Sequence, residues 1–137
     1  MSGTPDLYTY KVKVSRIIDG DSVFFSEINL GFDMKICNQS CRVSGIDTPE
    51  SRINLKRYPE REAEKELGLR AKDRLKELLD GEVTLQSLDR DKYGRILGNL
   101  FVEGENVSEV LVREGLACPY KGGTKKARVR EDGTWGE

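Results

Sequence analysis

A strictly alternating apolar segment, two further β-rich runs, one long amphipathic helix, two more strands and a short capped helix follow one another along the chain. That order predicts an α+β protein that is mainly β. Five strands, with a helix between the third and fourth and a short helix after the fifth, is the order of an OB-fold barrel. A length of 137 residues suits one domain around one core. The expected division is a polar N-terminal tail at 1–7, the barrel domain at 8–120 and a basic C-terminal segment at 121–137.

The first strand is read from Tyr8, Tyr10, Val12 and Val14 on one side and Thr9, Lys11 and Lys13 on the other, the period of a half-buried strand. It runs through Ile17 and Ile18 into the tight turn Asp19-Gly20-Asp21-Ser22. A second strand starts at Val23 and carries Phe24, Phe25, Ile28 and Leu30; Gly31-Phe32-Asp33 turns the chain into a third, from about Met34 to Ile46. Ser51–Tyr58 is basic and irregular, with Pro49 and Pro59 near its ends, and is expected to be a mobile surface loop. A helix follows over about Glu60–Leu79, its apolar stripe formed by Ala63, Leu67, Ala71, Leu75 and Leu78, with a Glu66–Arg70 pair at i,i+4 and Asp80-Gly81 as its end. Val83 and Leu85, then Ile96–Val102, read as strands joined by the polar loop Asp89–Arg95. Asn106 caps a short helix with Glu109 as capping-box partner, Val107, Val110 and Leu111 as its apolar positions and Gly115 as its stop. Beyond Tyr120 the pattern fades.

Composition excludes several chemistries. The chain has no histidine, which removes a Ser-His-Asp triad, a histidine base and histidine-ligated zinc. Acid–base work falls to carboxylates, lysines, tyrosines or metal-bound water. Three cysteines without histidine make a poor structural zinc site. On one extended strand Cys37 and Cys41 stand about 13 Å apart, too far for a disulfide, although a turn at Asn38–Ser40 could join them. Free thiols are expected, which favours a reducing compartment. No segment is long and apolar enough to span a bilayer, and Met1–Asp6 lacks an apolar leader core. The expected location is cytoplasmic, or secreted if a signal segment was removed. The net charge of −1 argues against a nucleic-acid binder, but its distribution is uneven. Lys121, Lys125, Lys126, Arg128 and Arg130 crowd the C-terminal end, while acids concentrate between Glu60 and Glu82. The basic run is either a solvated tail or an edge that tracks phosphates.

Two acidic segments stand at strand ends, Asp19-Gly20-Asp21 and Asp47-Thr48-Pro49-Glu50. Carboxylates brought together are costly unless a cation neutralises them, and oxygen-only ligands suit Ca²⁺ or Mg²⁺. Taken singly, Asp-Gly is ordinary turn chemistry. Arg42 and Arg95 are guanidinium groups able to grip a phosphate with parallel hydrogen bonds; alone, each is also an ordinary ion-pair partner. Arg42 lies five residues before Asp47, so on a straight strand the two point to opposite faces.

Four pieces then carry a resemblance to the staphylococcal-nuclease (thermonuclease) family, in order and approximate spacing: Ile18–Ser22, Arg42–Glu50, Asp91–Arg95 and Val107–Ala117. The resemblance spans roughly Tyr8 to Tyr120 and is nearest to phage and bacterial members. It implies a calcium-dependent endonuclease that hydrolyses DNA and RNA at the P–O5′ bond, leaves 3′-phosphate ends, favours single-stranded or frayed substrates and acts as a monomer. It implies Asp21 and Asp47 as calcium ligands and Thr48 as a ligand through its backbone carbonyl. It matches Glu50 to the general base, Arg42 and Arg95 to the arginines that contact the phosphate, and Lys92 and Tyr93 to contacts with a terminal phosphate. Tyr120 is matched to a tyrosine near the base-stacking site across a shorter local spacing, and Asp19 to a nearby acid that raises the negative potential. The sequence departs from the best-known member at Ser22, where threonine is usual, over a longer Ile28–Cys41 stretch, and in a short or missing C-terminal helix. Two other readings stand beside this one: a non-catalytic OB-fold module that binds nucleic acid or a peptide, and a purely structural OB domain.

Overall fold

A closed five-stranded barrel with two helices emerges in the computed structural model, which describes residues 7–137. The strands β1 (Thr9–Asp19), β2 (Ser22–Gly31) and β3 (Met34–Val43) form an antiparallel meander. A two-residue strand, β4 (Ile46–Asp47), and an irregular stretch lead through a 3-10 turn at Pro59–Arg61 into α1 (Glu62–Leu78). Then come β5 (Val83–Arg90), β6 (Ile96–Val102), β7 (Glu105–Asn106), α2 (Val107–Arg113), β8 (Cys118–Pro119), β9 (Arg128–Val129) and β10 (Trp135–Gly136). The main sheet runs β3-β2-β1-β5-β6-β7 and closes where β3 pairs with β6 in parallel, Cys41, Arg42 and Val43 lying against Ile96, Leu97 and Gly98. Among the described residues no helix is long and apolar enough to cross a membrane. The tail expected over 1–7 lies outside the described residues apart from Leu7.

The alternation in β1 works as its pattern requires. Val12 is buried, Tyr10 and Val14 are half-buried, and Lys11 and Lys13 face solvent. Tyr8 is the exception: it precedes the strand with a φ of 61° and is exposed. The core combines Val23 and Phe25 of β2, Cys41 and Val43 of β3, Leu85 and Leu100 of the β5–β6 pair, and Leu67, Ala71 and Leu75 of α1. Burying a large aliphatic side chain of this kind contributes about 1.5–3 kcal/mol. All three cysteines are free, as expected, with Cys37 exposed and Cys41 buried.

Several expectations are corrected. The third strand stops at Val43 rather than Ile46, because Gly45 takes a φ of 82° and turns the chain; the Ser44 amide donates to the Gly98 carbonyl at 2.8 Å across that bend. The regular part of the first helix begins at Glu62, after Pro59 has set a 3-10 turn, and Ala63 lies exposed outside the buried face. Among the described residues Glu66 and Arg70 form no ion pair. Helical pairing goes to Arg74, which meets Glu77 at 3.2 Å and clasps Glu114 beyond α2 through Nε at 2.7 Å and Nη2 at 2.9 Å. Asn106 caps α2 by accepting from the Ser108 amide at 2.9 Å, and among the described residues Glu109 does not return the bond. The segment after Tyr120, which showed no periodicity, forms the β9–β10 hairpin and puts Trp135 into the core.

Helix α1 reaches the site through one close approach. A Cβ on Gly68 would stand 2.5 Å from the Glu50 carbonyl oxygen and 2.8 Å from the Ser51 nitrogen, so the helix rests directly on that backbone. Gly68→Ala gains about 1 kcal/mol of helix propensity, whereas overpacking against backbone costs about 1–3 kcal/mol. We expect a net loss of about 1 kcal/mol in urea unfolding. An increase in stability would show that α1 is free to shift away from Glu50.

Candidate active site

The β1–β2 turn places Asp21 and the end of β3 places Arg42. Cross-strand pairing of Ser22 with Arg42, and a 2.8 Å hydrogen bond from the Val43 amide to the Asp21 carbonyl, hold the two elements together. Arg42 Nη1 lies 2.9 Å from Asp21 Oδ2, with both side chains almost wholly buried. Arg42 Nη2 also donates to the Ile46 carbonyl at 3.0 Å, across the bend at Gly45. That bend removes the expected opposition of Arg42 and Asp47: the chain folds back so that the arginine serves the segment that follows it. The Asp21 carboxylate accepts from the Thr48 amide at 3.2 Å and from the Ser22 hydroxyl at 3.2 Å.

Parallel closure brings the second arginine alongside the first. Because Arg42 pairs with Leu97, Arg95 sits just before the neighbouring strand at the same end of the barrel. The 91–95 loop is built around Asp91, whose Oδ1 accepts the amides of Tyr93 and Arg95 at 2.9 Å each and whose Oδ2 accepts Arg95 Nε at 2.7 Å. Burial raises the Asp91 pKa, but the hydrogen bonds from Arg95 and Tyr93 outweigh it and hold the carboxyl below its ordinary value. Asp91 thus fixes the Arg95 side chain.

Asp19, Asp21, Ser22, Arg42, Thr48, Pro49, Glu50, Arg95 and Lys125 line one open, polar cleft of about 300 Å³. Of the residues expected from the sequence, Asp21, Arg42, Thr48, Glu50 and Arg95 therefore meet. The Asp47 carboxylate is buried beside this cleft, 3.2 Å from Lys125 Nζ. Glu50 is half-exposed, with Arg61 Nη2 3.3 Å from its Oε2. Asp19 is held by the Ser51 hydroxyl and by Arg52 Nη2 at 3.1 Å. Lys92 and Tyr93 are exposed on the Arg95 loop; the Lys92 ammonium and the Arg95 guanidinium lie 5.2 Å and 5.7 Å from the centre of the Tyr93 ring. Tyr120 lies outside this cleft, against a neighbouring recess that shares Arg42; its amide donates to the Gly45 carbonyl at 2.8 Å and its hydroxyl to the Gly123 carbonyl at 2.7 Å.

Sequence reasoning missed the partners that hold these groups. Ser51, Arg52 and Arg61 stood in or beside a stretch read as a surface loop, and Lys125 was one of several residues in a basic run. Only the run of charge was visible; which member meets an acid depends on tertiary closure. Among the described residues no three acids or thiols converge in a ready metal cluster. The donors present are nonetheless all oxygen: two buried carboxylates, Asp21 and Asp47, and Thr48, whose amide donates to Asp21 at 3.2 Å and whose buried hydroxyl has no hydrogen-bond partner among the described residues. This set fits a hard cation.

Cys41 lies next in sequence to Arg42 but is no nucleophile. Burial pushes its thiol up to about 12 from 9.0, against opposing pulls from Arg95 and Arg42. The unfolded thiol ionises first, so this contribution to stability is complete below pH 9.0 and is lost as pH rises toward about 12. Thiol titration of the native protein should therefore label exposed Cys37 rapidly and leave Cys41 unlabelled until denaturant is added. Rapid native labelling of Cys41 would contradict its burial.

Residues 40–133 match the family described as staphylococcal nuclease homologue. An Escherichia coli protein named as an uncharacterized endonuclease is 30% identical over 111 residues, covering 80% of this chain and 60% of the relative. The endonuclease YncB of Bacillus subtilis is 32% identical over 124 residues, covering 85% of this chain and 53% of the relative. The thermonuclease of Staphylococcus hyicus is 33% identical over 109 residues, covering 77% and 56% respectively. The chain thus spans little more than half the length of each.

Proposed function

Because the chain belongs to the staphylococcal nuclease family, we propose that it is a metal-dependent endonuclease that hydrolyses phosphodiester bonds in DNA and RNA. The observation that carries this reading is one open cleft in which two arginines face a half-exposed glutamate and a buried aspartate. Relatives named as endonucleases and a thermonuclease support it. In finer detail, the proposed metal is calcium, the bond cut is P–O5′, the products carry 3′-phosphates, and the active species is a monomer acting on single-stranded or frayed substrate. The exposed free thiol of Cys37 supports a reducing, cytoplasmic setting.

Asp21, Asp47 and the Thr48 carbonyl would hold the calcium, which when bound neutralises charge and polarises a phosphate oxygen. Arg42 and Arg95 bind the non-bridging oxygens and stabilise the charge that builds on phosphorus. Glu50 orients the attacking water and takes its proton as the new P–O bond forms and the P–O5′ bond breaks, the departing O5′ taking a proton from solvent to leave as a 5′-hydroxyl. Arg61, which also pairs with Glu64 at 2.9 Å, holds the Glu50 carboxylate on the α1 side. Lys92, Tyr93 and Tyr120 supply charge and a stacking face along the path of the strand.

Digestion of labelled DNA and RNA with added Ca²⁺, and again with chelator, tests this reading. Cleavage should require the metal, and Glu50→Ala or Arg42→Ala should lower kcat by about 10²–10³. Full activity in either variant overturns the assigned roles, and nucleic-acid binding without cleavage replaces the enzyme with a binding module. Asp91→Ala, which frees Arg95 without removing it, should lower kcat by about tenfold, roughly 1.4 kcal/mol of barrier. An unchanged rate would show that Arg95 needs no anchor.

A further inference from the structure

We propose that Lys125 is a tethered cation that occupies Asp47 until a metal ion displaces it, and that it then contacts the substrate phosphate. The inference rests on the metal-dependent reading above and assigns a further residue to it.

Two acids flank Thr48, and each already has a cation. Asp21 is served by Arg42 at 2.9 Å and Asp47 by Lys125 at 3.2 Å. The two pairs differ in what else holds the cation. The Arg42 side chain is 13% exposed and also donates to the carbonyls of Ile46 at 3.0 Å and Val43 at 3.4 Å. Lys125 is 54% exposed, and among the described residues its one ion pair is to a carboxylate that is only 6% exposed. A buried carboxylate needs a counter-charge, whereas an exposed ammonium loses little by leaving for water. A divalent ion arriving at these acids repeats the charge that Lys125 supplies and repels it. Backbone oxygens keep Arg42 in the cleft, within reach of the phosphate; Lys125 goes.

The surrounding chain keeps it near. Gly122 and Gly123 adopt φ values of 99° and 82°, the conformation of a turn, between Tyr120 and Lys125. The Tyr120 hydroxyl donates to the Gly123 carbonyl at 2.7 Å, and the Lys125 ammonium lies 5.6 Å from the centre of the Tyr120 ring. The released ammonium therefore stays at the rim of a cleft that already contains Arg42 and Arg95. The nearest incoming anion there is the phosphate of a nucleic-acid strand.

The test compares wild type with Lys125→Met and Lys125→Arg. Calcium chloride is titrated into each protein by calorimetry without nucleic acid. Binding of a phosphorothioate oligodeoxynucleotide is then measured by fluorescence anisotropy at saturating calcium. Lys125→Met should bind calcium about 2- to 5-fold more tightly, the size expected of one partly exposed ion pair, and the oligonucleotide more weakly by a similar factor. Lys125→Arg should stay close to wild type in both. A merely structural role predicts weaker binding of both ligands. Unchanged or weaker calcium binding by Lys125→Met overturns the displacement, and unchanged oligonucleotide binding overturns the phosphate contact. If wild type binds and cleaves while Lys125→Met matches it, this inference alone fails. If no folded variant binds calcium, the metal-dependent reading fails and the inference goes with it.

Discussion

The Asp21 carboxylate ties together three parts of the chain that are far apart in sequence. It sits in the β1–β2 turn, receives the Arg42 guanidinium from the end of β3 and accepts the Thr48 amide from the segment after β4. The first contact is set by the antiparallel pairing of β2 with β3, and the barrel closes at the same end through the parallel pairing of β3 with β6. The same closure brings Arg95 to the cleft, where its loop is braced internally by Asp91. Site and fold therefore share one constraint: losing the closure separates Arg95 from Arg42 and the acids, and losing the Asp21 contacts unties the end at which the barrel closes.

Charge in this molecule is organised in pairs rather than in bulk. The formal net charge is −1, yet each acid at the working end has its own cation: Asp19 with Arg52, Asp21 with Arg42, Asp47 with Lys125, Glu50 with Arg61 and Asp91 with Arg95. The exposed members of this set, such as Arg52 with Asp19 and Arg61 with Glu50, contribute little to stability. The pairs do leave the cleft close to neutral, with Asp19, Asp21 and Glu50 set against Arg42, Arg95 and Lys125 along its walls. A polyanion or a metal ion then exchanges partners within the set instead of meeting an unscreened field, so net charge is a poor guide to what the surface binds.

Much of this was legible in the sequence. Period-two alternation located β1, helical spacing located α1 to within two residues at its start, and the Asn106 and Gly115 signals bounded α2. Local chemistry decides those elements, so local pattern reveals them. The end of β3 was misplaced because Val43 and Ile46 are both β-branched residues that favour strand, and only the φ at Gly45 reveals the bend. The β9–β10 hairpin was invisible for a different reason. Its strands are two residues each and are stabilised by Trp135 packing into a core assembled from distant segments. The acids and arginines were nameable through the family resemblance carried by four ordered pieces of sequence, whereas the members that restrain them, Ser51, Arg61 and Lys125, depend on which loops the closed barrel brings together.

Burial of Trp135 has a consequence for the basic run that precedes it. The Trp135 amide donates to the Gly115 carbonyl at 2.8 Å, and at the other end the Tyr120 amide donates to Gly45 at 2.8 Å. The lysines between these anchors are therefore carried on a bridge pinned at both ends. Chain fixed in this way has already given up much of the conformational freedom that a dangling tail surrenders on meeting a ligand. The bridge sets Lys125 at the wall of the cleft, where it stands at a high effective concentration beside whatever enters.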